Sequence, residues 1–419
     1  MLVALSAAAF AIAFRAALSF VVRRFGGATD VVSAAQAAPI WLRLLSPAIG
    51  GLLAGLLGIL VARAPAGQGV ADVMEAVVLG RVRLSMRVTL LKSLSSWLAI
   101  VSGGSLGREG PLIQFGGAAG KWLSDRLALS MTRTRVLIAA GTAAGFAAAY
   151  NTPFAAVLFV VEVVLGVVAL DTVVPVLVAT VVASALTRAV VGEGPIYGVR
   201  AFHSSSPVEL LAFGGLGVFA ALGAQGFMRL LSLGEKCFRH PRLPPPWRSA
   251  LGGLLAGALI AALPEVAGNG YETLNALLDG QFALRFTLLL LIGKCLATTA
   301  SVSSGSPGGV FTPTLLVGGA LGFVFWELLT RAGCSLGPPG GYALVGMAAA
   351  TAATTHAPLM AAVMVFELSG DYAIALPLVL ATGIATWASR QLRPDSIYTA
   401  ELRQRGVAWQ LTLDGRRAE

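Results

Sequence analysis

The word GGLLAG occurs at positions 50–55 and again at 252–257. It is the first of five landmarks that recur in one order at nearly one spacing. Gly67-Gln68-Gly69 is answered by Gly268-Asn269-Gly270, and Lys92 by Lys294. The stretch Gly107-Arg108-Glu109-Gly110-Pro111 is answered by Gly309-Val310-Phe311-Thr312-Pro313, and Gly141 to Glu162 by Gly346 to Glu367. The offsets stay between 201 and 205. A chain so repeated folds as two homologous halves, read as 1–200 and 201–389, followed by a C-terminal segment, 390–419.

The halves belong in a membrane. Of 419 residues 56% are hydrophobic and only 12% charged, with 50 glycines and a mean hydropathy of +0.81. A soluble surface on a chain this long needs far more charge, so the fold class is all-α integral membrane. Glycine and alanine suit close helix packing where no hydrophobic force drives helices together. The net charge of +10 could suggest nucleic acid, but the Lys and Arg residues cluster in short loops between apolar runs, as cytoplasmic loops do. The N-terminus enters apolar sequence at once and closes with Arg23-Arg24, which reads as a first membrane helix and not a cleaved signal.

Loop charge also orients the halves. Arg81, Arg83 and Arg87 stand against Arg285 alone, and Lys121, Arg126, Arg133 and Arg135 against Arg331 alone. The sign then reverses, with Lys236, Arg239, Arg242 and Arg248 against Arg43. Each pair of equivalent loops has one basic and one depleted member, which is what an inverted repeat requires. The basic loops and the Arg-rich tail from Arg390 are expected on the cytoplasmic side. Many apolar runs are cut by Gly or Pro before the roughly 20 residues of a straight span. Broken helices are therefore expected near the midplane, with irregular backbone lining a cavity and the turns at Gly67, Gly107 and Gly309 around one central site.

Those turns have a chemistry. Glycine leaves backbone N–H groups unobstructed, and a proline just inside a helix start removes a donor that would be orphaned anyway. Two such starts present free donors and two positive dipole ends, which suggests one anion held between them. Glu109 lies beside these donors, where its carboxylate can mimic the anion and compete with it until protonated. The alternative is a carboxylate that only stabilises its own helix through the dipole. Arg108 either holds a positive potential near the path or snorkels to the interface. Phe311 takes the place in the second half that Glu109 takes in the first. Glu162 and Glu367 close equivalent helices in both halves, so a structural hydrogen bond is the better reading; Lys92 and Lys294 are read the same way. His356 replaces Asn151 in the repeat and is read as a satisfied polar group. Cys237, Cys295 and Cys334 show no paired spacing, and His203, His240 and His356 no ligand pattern, so neither disulfide, metal nor cofactor is indicated.

Taken together, GREGP at 107–111 and GVFTP at 309–313 resemble the two helix-start motifs of the CLC family of chloride channels and chloride–proton antiporters. Gly67-Gln68-Gly69-Val70-Ala71 stands where that family has GSGIP, and Asp395-Ser396-Ile397-Tyr398 resembles the segment bearing its pore tyrosine. The resemblance covers nearly the whole chain and points to short bacterial members. It implies two inverted halves of tilted, partly broken helices, a homodimer with one pore per subunit, and location in the cell (inner) membrane among its lipids. It makes Glu109 the gate, with Gly107, Arg108 and Gly110 at one helix start, Val310 and Phe311 as amide ligands at the other, and Tyr398 as a hydroxyl ligand. The chain ends 21 residues after Tyr398, so the cytosolic regulatory domains of many relatives are expected to be absent.

Two positions depart from the family. Its central serine aligns with Gln68, whose amide can still donate. The internal proton glutamate of its antiporters aligns with Val163, which counts against tight proton coupling. The expectation is therefore chloride transport, channel-like in preference to proton exchange, with fluoride export a lesser alternative. An intramembrane enzyme would need a nucleophile with its base, or metal ligands, and neither is visible. A cation-coupled carrier would use carboxylates and unwound carbonyls, and these turns are rich in donors instead. No helix with regularly spaced arginines suggests a voltage sensor.

Overall fold

The computed structural model describes residues 1–61, 69–79, 84–192, 194, 196–198, 202, 209–239, 243–407, 409–412 and 415–418. Gly67, Gln68, Arg81, Arg83, His203, His240 and Arg242 lie outside these. Within them the repeat of sequence is a repeat of elements. The first half contains α1 (Leu2–Gly26), α2 (Val31–Ala37), α3 (Ile40–Val61), α4 (Val70–Val78), α5 (Met86–Val101), α6 (Glu109–Arg126), α7 (Met131–Tyr150), α8 (Pro153–Leu158) and α9 (Leu170–Val191), with a π-helical turn, Phe159–Leu165, after α8. The second contains α10 (Glu209–Phe238), α11 (Pro245–Ala262), α12 (Tyr271–Leu278), α13 (Leu284–Ser303), α14 (Phe311–Arg331), α15 (Pro339–Thr355), α16 (Pro358–Ser369) and α17 (Ala375–Leu392). A last helix, α18 (Ile397–Gln404), follows. A short antiparallel pair in the tail, β1 (Trp409–Thr412) with β2 (Gly415–Ala418), departs from all-α.

Local sequence explains where elements begin and end. Pro153, Pro245, Pro339 and Pro358 each open a helix, where a missing N–H costs nothing. α7 and α15 stop at equivalent left-handed residues, Asn151 (φ 58°) and His356 (φ 57°). Among the described residues six stretches, starting in α1, α3, α9, α10, α13 and α14, are long and apolar enough to cross a membrane. α4, α8 and α12, with 9, 6 and 8 residues, are far too short. The expected broken helices are present.

The halves meet about a local two-fold. Gly51 of α3 faces the Ser249 carbonyl, and its counterpart Gly253 of α11 faces the carbonyl of Pro47, the counterpart of Ser249. Gly55 against Pro246 and Gly257 against Leu44 exchange in the same way. Such swapped contacts arise only when one half is rotated onto the other. Inside each half small residues set the spacing: Gly116 of α6 lies on the Gly141 carbonyl of α7, and Gly318 of α14 on that of Gly346 in α15. A Cβ at any of the four would collide with backbone.

Candidate functional site

The two-fold passes through the site. Gly107 donates its N–H to the Gly309 carbonyl (2.7 Å) and Gly309 donates to that of Gly107 (2.8 Å), an antiparallel bridge between equivalent residues. α6 and α14 thus start from one point. The bridge consumes the Gly107 amide, so Gly107 shapes the site and does not offer an anion its N–H. A Cβ at either position would run into the Glu109 carboxylate and displace it, so the two glycines leave room for that side chain.

Glu109 opens α6 and is 2% exposed. Its carboxylate reaches across to the helix start of the other half. Oε1 accepts from the Phe311 N–H (2.8 Å) and the Thr312 N–H (3.3 Å), and Oε2 from the Thr312 hydroxyl (2.9 Å). Those amides are the first turn of α14, donors without partners inside their helix. The carboxylate occupies the place an anion would take at that dipole end.

Beneath it runs a cavity of about 490 Å³. Glu109, Gly110, Val310, Phe311 and Tyr398 line it, with Gly69 (φ 79°) against Gly110. Gln68, next to Gly69, is outside the described residues. Lys92, Arg239, Arg248, Arg393 and Arg405 outnumber Glu235 and Glu401 along its remaining wall, so the cavity favours anions.

Tyr398 sits in the first turn of α18, 8% exposed, its ring edge-on to Phe159 at 6.3 Å. A capping box starts that helix: Ser396 Oγ takes the Thr399 N–H (3.2 Å) and Thr399 Oγ1 takes the Ser396 N–H (2.8 Å). At the other end Arg405 donates to Asp72 of α4 (2.9 Å) and pairs with Glu401. Asp72 also takes Lys92 of α5 (3.1 Å) and Gln114 of α6 (3.2 Å). One buried carboxylate ties the tyrosine's helix to three others around the cavity.

Arg108 is not brought together with these residues. Its guanidinium lies 5.3 Å over the Tyr271 ring and faces a second cavity, about 250 Å³, lined also by Arg15, Asn269 and Glu272. A helical step separates adjacent residues by about 100°, so Glu109 and Arg108 look different ways. Val163 is 1% exposed in the π-helical turn. Its neighbour Glu162 takes the amides of Leu359 (3.2 Å) and Met360 (2.7 Å) at the start of α16. Glu367 takes those of Phe154 (3.1 Å) and Ala155 (2.8 Å) at the start of α8. Lys294 donates to the carbonyls of Val266 (3.1 Å) and Gly268 (2.8 Å), and a ring nitrogen of His356 lies 3.3 Å from Ser389 Oγ. The structural readings of these residues agree with their geometry. Sequence reasoning missed Thr312, Tyr150, Asp72 and Arg405. Thr312 stood inside a quoted motif, and its hydroxyl was the signal passed over.

Two inverted membrane halves with helix starts converging on a buried carboxylate define a protein built to move anions. The chain matches the family model described as Voltage gated chloride channel over residues 50–390, and it belongs to that family. A ClcB-like protein of Ralstonia nicotianae is 41% identical over 383 residues, 90% of this chain and 89% of that one. The voltage-gated ClC-type chloride channel ClcB of Salmonella typhi is 37% identical over 388 residues, 88% of this chain and 89% of its own. Among solved structures, that of a slow cyanobacterial Cl−/H+ antiporter superposes with a TM-score of 0.86 at 25% identity, covering 96% of each chain.

Proposed function

We propose that the protein carries chloride across the membrane past Glu109, which acts as the gate. The observation that carries this reading is the Glu109 carboxylate seated on the Phe311 and Thr312 amides. The anion enters the basic cavity, sheds water against backbone N–H groups and the Tyr398 hydroxyl, and takes the amides of α14 when the carboxylate leaves them. Contacts that are individually weak allow it to exit. Conduction is channel-like, because Val163 offers no carboxylate to deliver protons from the inner side. A second reading, proton-coupled exchange, is favoured by the likeness to the Cl−/H+ antiporter structure. We further assign a homodimer with one pore per subunit, held in the inner membrane with basic loops and C-terminus cytoplasmic, built from halves 1–200 and 201–389 and a pore-lining tail, 390–419.

Efflux of chloride from liposomes holding the purified protein, with external pH recorded, tests this beside Glu109→Gln. Chloride efflux without proton movement, even against an imposed pH gradient, supports the channel. Proton uptake locked to chloride efflux and abolished by Glu109→Gln makes it an exchanger. Fluoride efflux without chloride efflux would convert the substrate, and no anion movement would remove the proposal.

A further inference from the structure

Glu109 is held by more than amides. The Thr312 hydroxyl bonded to Glu109 Oε2 lies 3.0 Å from the Tyr150 hydroxyl. A carboxylate can only accept, so Thr312 Oγ1 spends its single proton there and Tyr150 must donate to Thr312. The result is a one-way chain, Tyr150 to Thr312 to Glu109. Tyr150 closes α7 and is 1% exposed, with its ring packed against Phe146 (centroids 4.9 Å apart) and Phe311 (5.6 Å). Its phenol has no freedom to turn toward water. Tyr271 also comes near the Thr312 hydroxyl, but its buried hydroxyl makes no hydrogen bond of ordinary geometry among the described residues.

We propose that Thr312 and Tyr150 latch the gate: they hold the Glu109 carboxylate on the amides of α14 and so set how strongly it competes with the transported anion. The proposal rests on Glu109 being the gate. Both are positioning residues, acting on the anion through Glu109. A hydrogen bond to an ionised group is among the stronger ones, and hydroxyls in series polarise one another. The latch therefore belongs to the closed state and is broken when an anion replaces the carboxylate. Losing either hydroxyl leaves the amides in place but makes the carboxylate easier to displace.

Calorimetric titration of chloride into the detergent-solubilised full chain separates this from a structural role. Thr312→Val is expected to raise apparent chloride affinity roughly ten-fold, the weight of one charge-assisted hydrogen bond. Tyr150→Phe is expected to raise it by a smaller factor, since it acts one bond further away, and Thr312→Ser to restore the starting value. In a Glu109→Gln background, where no carboxylate competes, neither variant should tighten binding. Equal tightening in both backgrounds, or none where Glu109→Gln itself tightens binding, would overturn the latch alone. Absence of chloride binding in the unaltered protein and in Glu109→Gln would overturn the transport reading and the latch with it. Should Thr312→Val fail to fold, Tyr150→Phe, which removes one oxygen from a packed ring, decides the same question.

Discussion

Glu162 and Glu367 show one carboxylate used twice. Each takes two amides at the start of a helix in the other half, and the exchange is reciprocal. Glu109 performs the same chemical act on α14, but its counterpart Phe311 has no carboxylate to return it. That asymmetry, and not the mere presence of an intramembrane acid, separates Glu109 from its structural look-alikes and supports the gating role proposed for it. Glu162→Gln and Glu367→Gln should each destabilise the protein by about 1–3 kcal/mol, the range for bonds to charged groups. Thermal unfolding at a matched scan rate should then fall by similar amounts in both variants, since such proteins unfold irreversibly and only like scans compare. Anion flux should keep its selectivity. A change in flux from Glu162→Gln that Glu367→Gln does not share would end the equivalence.

At the scale of elements, legibility in the sequence divides by the range of the interaction. Helix starts at Gly107 and Gly309 could be read because glycine and proline act on their own backbone, and the repeat supplied each with a witness 202 positions away. The Tyr150–Thr312 and Arg405–Asp72 contacts join residues 162 and 333 positions apart, and neither pair has a counterpart in the other half to announce it. Arg108 shows a related limit: a motif fixes its place in sequence, while the direction of its side chain follows from helical phase. The Arg405 clasp bears on function through α18. Arg405 and Asp72 side chains are 17% and 6% exposed, and removing one partner from a pair that buried costs up to about 3 kcal/mol. Arg405→Ala should free the end of α18, let Tyr398 drift from the cavity, and weaken chloride binding several-fold by calorimetry, with Arg405→Lys recovering part of it. Close packing makes a harsher demand. Gly116→Ala and Gly318→Ala push a Cβ into the backbone of α7 and α15 respectively. Neither helix can retreat without losing its own contacts, so both variants should be recovered in poor yield and broad by size exclusion, and a well-behaved Gly116→Ala protein would contradict the packing.

For the whole molecule, the remaining question is which way the inverted pair faces, and the chain carries its own reporters. Cys237 and Cys334 are free and exposed. Cys237 lies at the end of α10, two residues before Arg239, which lines the basic cavity. The loop of Cys334 reaches the other end of the same helix, where the Gly337 N–H donates to Glu209 (2.7 Å). α10 has 30 residues, a length of about 45 Å at 1.5 Å per residue, enough to cross a bilayer with its headgroups. The two thiols therefore sit on opposite faces. Loop charge predicts the faces: the segment around Cys237 carries Lys236, Arg239, Arg242 and Arg248, and that around Cys334 only Arg331, so positive-inside bias predicts Cys237 in the cytoplasm. A membrane-impermeant maleimide added to intact cells should label Cys334 and spare Cys237, with Cys334→Ser abolishing the signal and permeabilisation exposing Cys237. Labelling of Cys237 alone from outside would turn the molecule over and place the basic cavity, with Tyr398, on the external side. Equal labelling of both in intact cells would mean that the loop charges do not fix one orientation.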